Sequence, residues 1–344
     1  MPTQPPLPPL LTPYVSSLPQ SSLTLISSVL AATGNWLVLR YLYAALNTSS
    51  TFGINESDTS KRRKVVLVSF VRSWDFWKSE AKRLGLDLAR LADKGQFAFV
   101  DGLSELFYSP AKAPAAPPTQ SGAIPSRGLP IRSQPGAVPA RSPAPAPGTG
   151  DNNLSTPTEK GVAKRLHFSG HGTTALDNLE KDIANVIGQL KSASGNEDDL
   201  DILLIIDQPD LLLAATGASK GIGATEMMEW VMGLQQHVGS TILTLSADSP
   251  LIHNASDSAH RQATPLEIEH AAFAVGSAHR ARTVMQLRNL ETGAARDVSG
   301  VLRLSKGGAW EGGESKGEGG WEEREVLYFI QRDGGVSVFG RGES

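Results

Sequence analysis

The sequence predicts an α/β fold: a central, mostly parallel sheet flanked by helices, with antiparallel strands at its C-terminal side. Three observations predict it. Val65–Val68, Ile202–Ile206 and Thr241–Leu245 are continuous apolar runs, as expected of parallel strands buried on both faces. Between the strand candidates lie stretches whose apolar residues recur every three or four positions, the spacing of a helix with one buried stripe. The last third instead holds short strands with few helices between them.

In chain order, Leu23–Ile26 is the first strand candidate, followed by a loop and a buried helix that includes Leu39. Val65–Val68 follows. A helix is predicted over Ser73–Leu91, with Ser73 as N-cap and Trp74, Trp77, Ala81, Leu84, Leu88 and Leu91 as its stripe. Phe97–Val100 is the third strand. A helix starting at Thr174, with Asp177 three residues on in a capping-box pattern, carries Leu176, Leu179, Ile183, Val186 and Leu190 inward. Ile202–Ile206 and Thr241–Leu245 complete the parallel set. Thr283–Leu287, Val301–Leu304, Val326–Ile330 and Val336–Phe339 are the C-terminal strands, and Asp333-Gly334-Gly335 signals a hairpin turn.

Composition sets the bounds. The chain has 344 residues, 40% of them hydrophobic, enough for a substantial core. It has no Cys, which excludes a disulfide scaffold, a thiol nucleophile and Cys-ligated zinc, and fits the cytosol or nucleus. A formal net charge of -3 excludes a globally basic nucleic-acid binder. No charge precedes Arg40, yet residues 1–13 carry prolines rather than the cations of a signal peptide. Leu23–Leu39 is too interrupted by Ser, Thr, Gly and Asn to span a membrane. The prolines concentrate at the start and between Ser109 and Pro157. We read residues 1–14 as a flexible Pro-rich N-terminus, and 15–342 as one domain interrupted by a disordered Pro/Ala-rich insertion over 109–160.

Two motifs carry candidate chemistry. Thr216–Gly223 reads TGASKGIG, the phosphate-approach loop of short-chain dehydrogenases. Asp207-Gln208-Pro209-Asp210 precedes it, however, and Pro209 starts a helix better than a central strand. No Tyr-x-x-x-Lys follows either: the one later tyrosine, Tyr328, has Arg332 four residues on. A Gly-rich loop between helices fits better. The second motif is Leu203–Asp207, an apolar strand ending in Asp, the pattern that holds Mg²⁺ in Walker B sites. Its usual companion is absent. A phosphate loop needs GxxxxGK(S/T) after the first strand. Here Val29 stands at the first Gly, Asn35 at the Lys and Trp36 at the hydroxyl position, and Gly34 alone matches. His167 and His171 have no evident third ligand and read as a loop pair without a metal role.

Residues Val65–Leu88 resemble the second strand and following helix of the RecA/RadA/KaiC ATPase superfamily. In that superfamily the strand runs into a water-activating Glu, and here Val71 and Arg72 stand in its place. Further segments narrow the likeness: Arg83-Leu84-Gly85-Leu86-Asp87-Leu88, Lys94–Leu103, Leu203–Leu213, Ser299–Gly308, and the end from Glu325 to Gly342. Together they resemble the Elongator complex protein 6 family. That resemblance implies a RecA-like fold and a non-catalytic subunit of a heterohexameric ring with Elongator complex proteins 4 and 5. It further implies association with the remaining Elongator subunits, tRNA binding by the ring, support of wobble-uridine modification, and a cytoplasmic and nuclear location. No catalytic, cofactor or metal residue is carried over. Lys61, Arg62, Arg63, Lys64, Arg261 and Lys306 are the candidate RNA-contacting cations. The alternative is a nucleotide enzyme, either an ATPase using Asp207 or an NAD(P)-dependent reductase using Gly217–Gly223.

Overall fold

The computed structural model describes residues 7–16, 18–47, 62–108, 161–192, 200–216, 220–252, 263–291, 293, 295–311 and 321–340. The predicted insertion over 109–160 lies outside these residues. So do residues 1–6 of the N-terminus expected to be flexible. Within the rest of that stretch a 3₁₀ turn over Pro9–Leu11 leads into α1 (Thr12–Val15). Leu11, Tyr14 and Val15 are buried. Proline at the start of a helical turn costs nothing, since its missing N–H would lack a partner there.

β1 (Ser22–Ser28) is followed by α2 (Asn35–Asn47), β2 (Arg62–Ser69), α3 (Trp74–Arg83), α4 (Leu88–Asp93) and β3 (Phe97–Asp101). Then come β4 (Val162–Arg165), α5 (Thr173–Ser192), β5 (Leu200–Asp207), α6 (Asp210–Thr216) and α7 (Ala224–Gln235). The chain continues with β6 (Ser240–Ser246), α8 (Ser249–Ile252), α9 (Pro265–Arg280), β7 (Thr283–Arg288), β8 (Gly300–Lys306), β9 (Arg324–Ile330) and β10 (Val336–Phe339).

These strands form one sheet in the order β10-β9-β8-β7-β1-β6-β5-β2-β3-β4. From β7 to β4 all pairings are parallel. The C-terminal three strands extend it antiparallel from β7. The architecture is thus the RecA-like, mostly parallel sheet with antiparallel C-terminal strands. Alternate residues of each central strand enter opposite layers. Val65, Leu67, Leu203 and Ile205 pack with α1–α4. Val66, Val68, Leu204 and Ile206 pack with α5, α6, α7 and α9. Burial on both faces is why these strands read as unbroken apolar runs.

The charge-free start of the chain ends in α2, a helix buried nearly all round. Trp36 packs on Tyr328, with ring centroids 4.9 Å apart. The Tyr41 hydroxyl donates to the Tyr14 carbonyl, and Arg40 Nη2 to the carbonyl of Gly334. Burial without a carboxylate lowers the Arg40 guanidinium to about 10. No helix of the described residues is long and apolar enough to cross a membrane.

One predicted helix is two. The stripe from Trp74 to Leu91 breaks at Gly85, whose φ is +80°. Gly85 N–H donates to Lys82 O and Leu86 N–H to Ala81 O, a Schellman termination of α3. Asp87 then caps α4 by accepting from Arg90 N–H. The Ser73 hydroxyl caps α3 by accepting from Phe76 N–H. Helix α5 starts one residue before the expected Thr174.

Candidate functional site

The C-terminal ends of the parallel strands share one edge, the usual ligand edge of an open α/β sheet. Asp207 sits there at the end of β5, only 1% exposed. Thr244 on the neighbouring β6 donates its hydroxyl to Oδ1 at 2.9 Å. Ser69, at the end of β2 on the other side, donates to Oδ2 at 2.8 Å. Arg72 Nη1 stands 3.0 Å from both oxygens and 3.2 Å from Gln208 Oε1. Four approaches therefore fill the carboxylate's acceptor positions.

The surroundings hold Arg72 in place. Its backbone N–H donates to the Ser69 hydroxyl, and its guanidinium lies over the rings of Phe76 and Trp77 at 5.6 and 5.9 Å. Gln208 adopts φ +53°, a left-handed conformation uncommon for a side-chain-bearing residue. Its N–H reaches both the carbonyl and the hydroxyl of Thr244, which compensates that strain. A divalent cation would need a carboxylate oxygen about 2.0–2.6 Å away. Arg72 takes that role as a built-in monovalent cation, so the Asp207 that the alternative ATPase reading would use is already paired.

The β1–α2 loop lacks a phosphate cradle for equally local reasons. Ala32 N–H donates to Val29 O, and Leu30 N–H to Asp248 Oδ1 at 3.1 Å. A carboxylate thus occupies a donor that an anion would need. Leu30 itself is 84% exposed. Gly34 serves packing: a Cβ there would lie 3.1 Å from Ile26 and 3.3 Å from Leu287.

Of the TGASKGIG stretch, Gly217, Ala218 and Ser219 lie outside the described residues. Lys220–Gly223 joins α6 to α7, so no strand enters this loop, as read from Pro209. The first amides of α7 are already occupied: Glu226 accepts from Gly223 N–H and Glu269 from Ala224 N–H. The stretch also has the Gly-x-Ser-x-Gly spacing of an acyl-transfer elbow, but that device needs a strand-to-helix turn.

Among the described residues, the candidate cations Arg63 and Lys64 lie on β2 and Lys306 on β8, well separated in the strand order. Lys61, Arg261 and the Arg62 side chain lie outside the described residues. Arg63 makes a two-pronged pair with Asp201, through Nε at 2.8 Å and Nη2 at 2.7 Å. Lys64, read as part of a solvated cationic run, is corrected: it is 5% exposed, and its ammonium donates to the Leu190 carbonyl at 2.6 Å. The reason is that β2 begins inside the basic run and is covered on both faces, with Lys64 on the side packed by α5. Burial lowers its pKa below the ordinary lysine value. Lys306, at the end of β8, is exposed. His167 contacts the backbone carbonyl and carboxylate of Glu105. No group of three or more His, Asp or Glu that could hold a metal occurs among the described residues.

The sequence reading missed one buried polar pair. His270 on α9 faces Asp210 Oδ2 through Nε2 and the Leu251 carbonyl through Nδ1, both at 3.2 Å. Ser246 N–H donates to the same Asp210 oxygen. The imidazole thus joins α6, α8 and α9 through one contact at each ring nitrogen. No local spacing announces it, because the partners are far apart in sequence. No protein-family model matches the chain, and no curated protein matches it.

Proposed function

We propose that the chain is a non-catalytic structural subunit of an Elongator-type heterohexameric ring, built with Elongator complex proteins 4 and 5. In this reading the ring binds tRNA, joins the remaining Elongator subunits and supports wobble-uridine modification in the cytoplasm and nucleus. The resemblance of the ordered segments supplies the family and the partners. The observation that carries the non-catalytic part is the Asp207–Arg72 pair, which fills a nucleotide-metal position with the protein's own guanidinium. A RecA-like body whose Asp207 is already paired keeps lateral surfaces for its neighbours, and heterologous contacts between such bodies close into rings.

Co-expression with the two ring partners, followed by native mass measurement, tests the reading. A mixed hexamer is the expected result. A chain that stays monomeric beside both folded partners would contradict it. Saturable NADPH binding by the chain alone, lost on substitution in Gly217–Gly223, would instead favour the reductase.

A further inference from the structure

Helices α5 and α7 pack side by side on one layer of the sheet. They start together, since Gly172 N–H, just before α5, donates to the Lys220 carbonyl just before α7. Two turns on, Glu180 of α5 lies flat against Gly233, near the end of α7. A Cβ on Gly233 would sit 2.4 and 2.5 Å from the two Glu180 oxygens, so the carboxylate fills the place of a side chain there. Glu180 is half-buried. Among the described residues neither oxygen meets a hydrogen-bond donor or an ion-pair partner. The two ends of α7 differ in this respect. At its start, Glu226 and Glu269 accept N–H groups, as carboxylates at a helix N-terminus do. Glu180 stands at the other pole, where the last carbonyls repel an anion.

Its charged surroundings are few. Asp177 stands one turn back on α5, and His237 stands just past the end of α7; both are exposed. Glu229, one turn before Gly233 on α7, is exposed too. Asp182, on the other side of α5, pairs with Lys164 of β4 at 3.0 Å. Burial raises the Glu180 carboxyl above the ordinary glutamate value; His237 pulls it down and Asp177 pushes it further up.

We propose that Glu180, seated on Gly233, makes the α5–α7 contact proton-dependent: acid tightens it and neutral pH loosens it. The protonated carboxyl places no charge against the carbonyl end of α7 and none beside Asp177. Because the folded chain holds this proton more tightly than the unfolded one, the stability it contributes is full below the ordinary glutamate value. That contribution is lost as pH rises through the raised value. The device belongs to the helical layer of this chain and is independent of the ring reading.

Chemical denaturation of the full chain across mildly acidic to neutral pH, beside Glu180→Gln, tests this. Gln keeps the shape of the side chain and removes its titration. The expected result is a variant that gains on the parent as pH rises, by about twofold to tenfold in the folded-to-unfolded ratio between the two ends of the series. Selective ¹³C labelling of the glutamate carboxyls gives a second reading that a merely structural role would not move. The resonance missing from Glu180→Gln should titrate above the ordinary glutamate range. Asp177→Asn should bring its midpoint down, and His237→Gln should send it up. A stability difference that does not change with pH would overturn the proposal. So would a Glu180 resonance that titrates at or below the ordinary range, or one that neither neighbouring substitution moves.

Discussion

Two places in the sheet, the strand end at Asp207 and the end of β8 at Lys306, treat their charges in opposite ways. At the first, Asp207 is matched by Arg72, Asp210 by His270 and Asp248 by a backbone amide. At the second, beside the start of β7, Lys306 is exposed above the indoles of Trp310 and Trp321. The first edge is where α/β sheets ordinarily bind ligands, and here its acids are spent on the fold. Charge with access to solvent stands where the antiparallel strands were added. The difference teaches that a motif such as Leu203–Asp207 must be read with its neighbours: one guanidinium in the right place turns a metal ligand into a structural ion pair.

Breaking the closed edge gives the largest effects. Arg72→Ala leaves the Asp207 carboxylate buried without its cation and should cost about 3–5 kcal/mol in chemical denaturation. Adding Asp207→Asn should recover much of that loss, a coupling that a double-mutant cycle reads. Additive losses would mean that the two side chains do not act as a pair. His270→Ala removes the buried contact to Asp210 and the one to the Leu251 carbonyl and should cost about 1.5–3 kcal/mol by the same measurement. Asp248→Ala frees Leu30 N–H and should cost only about 0.5–1.5 kcal/mol, since that contact is exposed to water.

The smallest effect belongs to Lys64, a buried cation outside the closed edge. Lys64→Met should stay within about 1 kcal/mol of the parent, because losing the bond to Leu190 is offset by removing a desolvated ammonium. Its pH signature is more telling. Burial lowers the folded-state pKa, so the unfolded chain binds the proton more tightly. Stability contributed by this group therefore rises with pH between the lowered value and the ordinary lysine value. Denaturation midpoints across alkaline pH should show that slope in the parent and lose it in Lys64→Met.

Much of the fold was legible because central parallel strands must be apolar on both faces, as Ile202–Ile206 is. Asp207 was legible as the end of such a strand, and Arg72 as a residue replacing an acid. Their contact was not, since it joins two strand ends that are neighbours only in the folded sheet. The Ser73–Leu91 stripe misled because α3 and α4 keep the same face inward across the break, although Gly85 and Asp87 carry the stop and start signals. Helix α9 also had a readable start: Thr264 and Glu267 form a reciprocal capping box around Pro265. Lys64 was misplaced because a run of cations looks solvated unless the strand's start inside it, and the cover on both of its faces, are known.

The central claim is that Arg72 already fills the cation position at Asp207. Calorimetric titration of the isolated chain with Mg-ATP tests it most directly. The account predicts no saturable heat, in the parent and in Asp207→Asn alike. Micromolar binding by the parent that disappears in Asp207→Asn would contradict it.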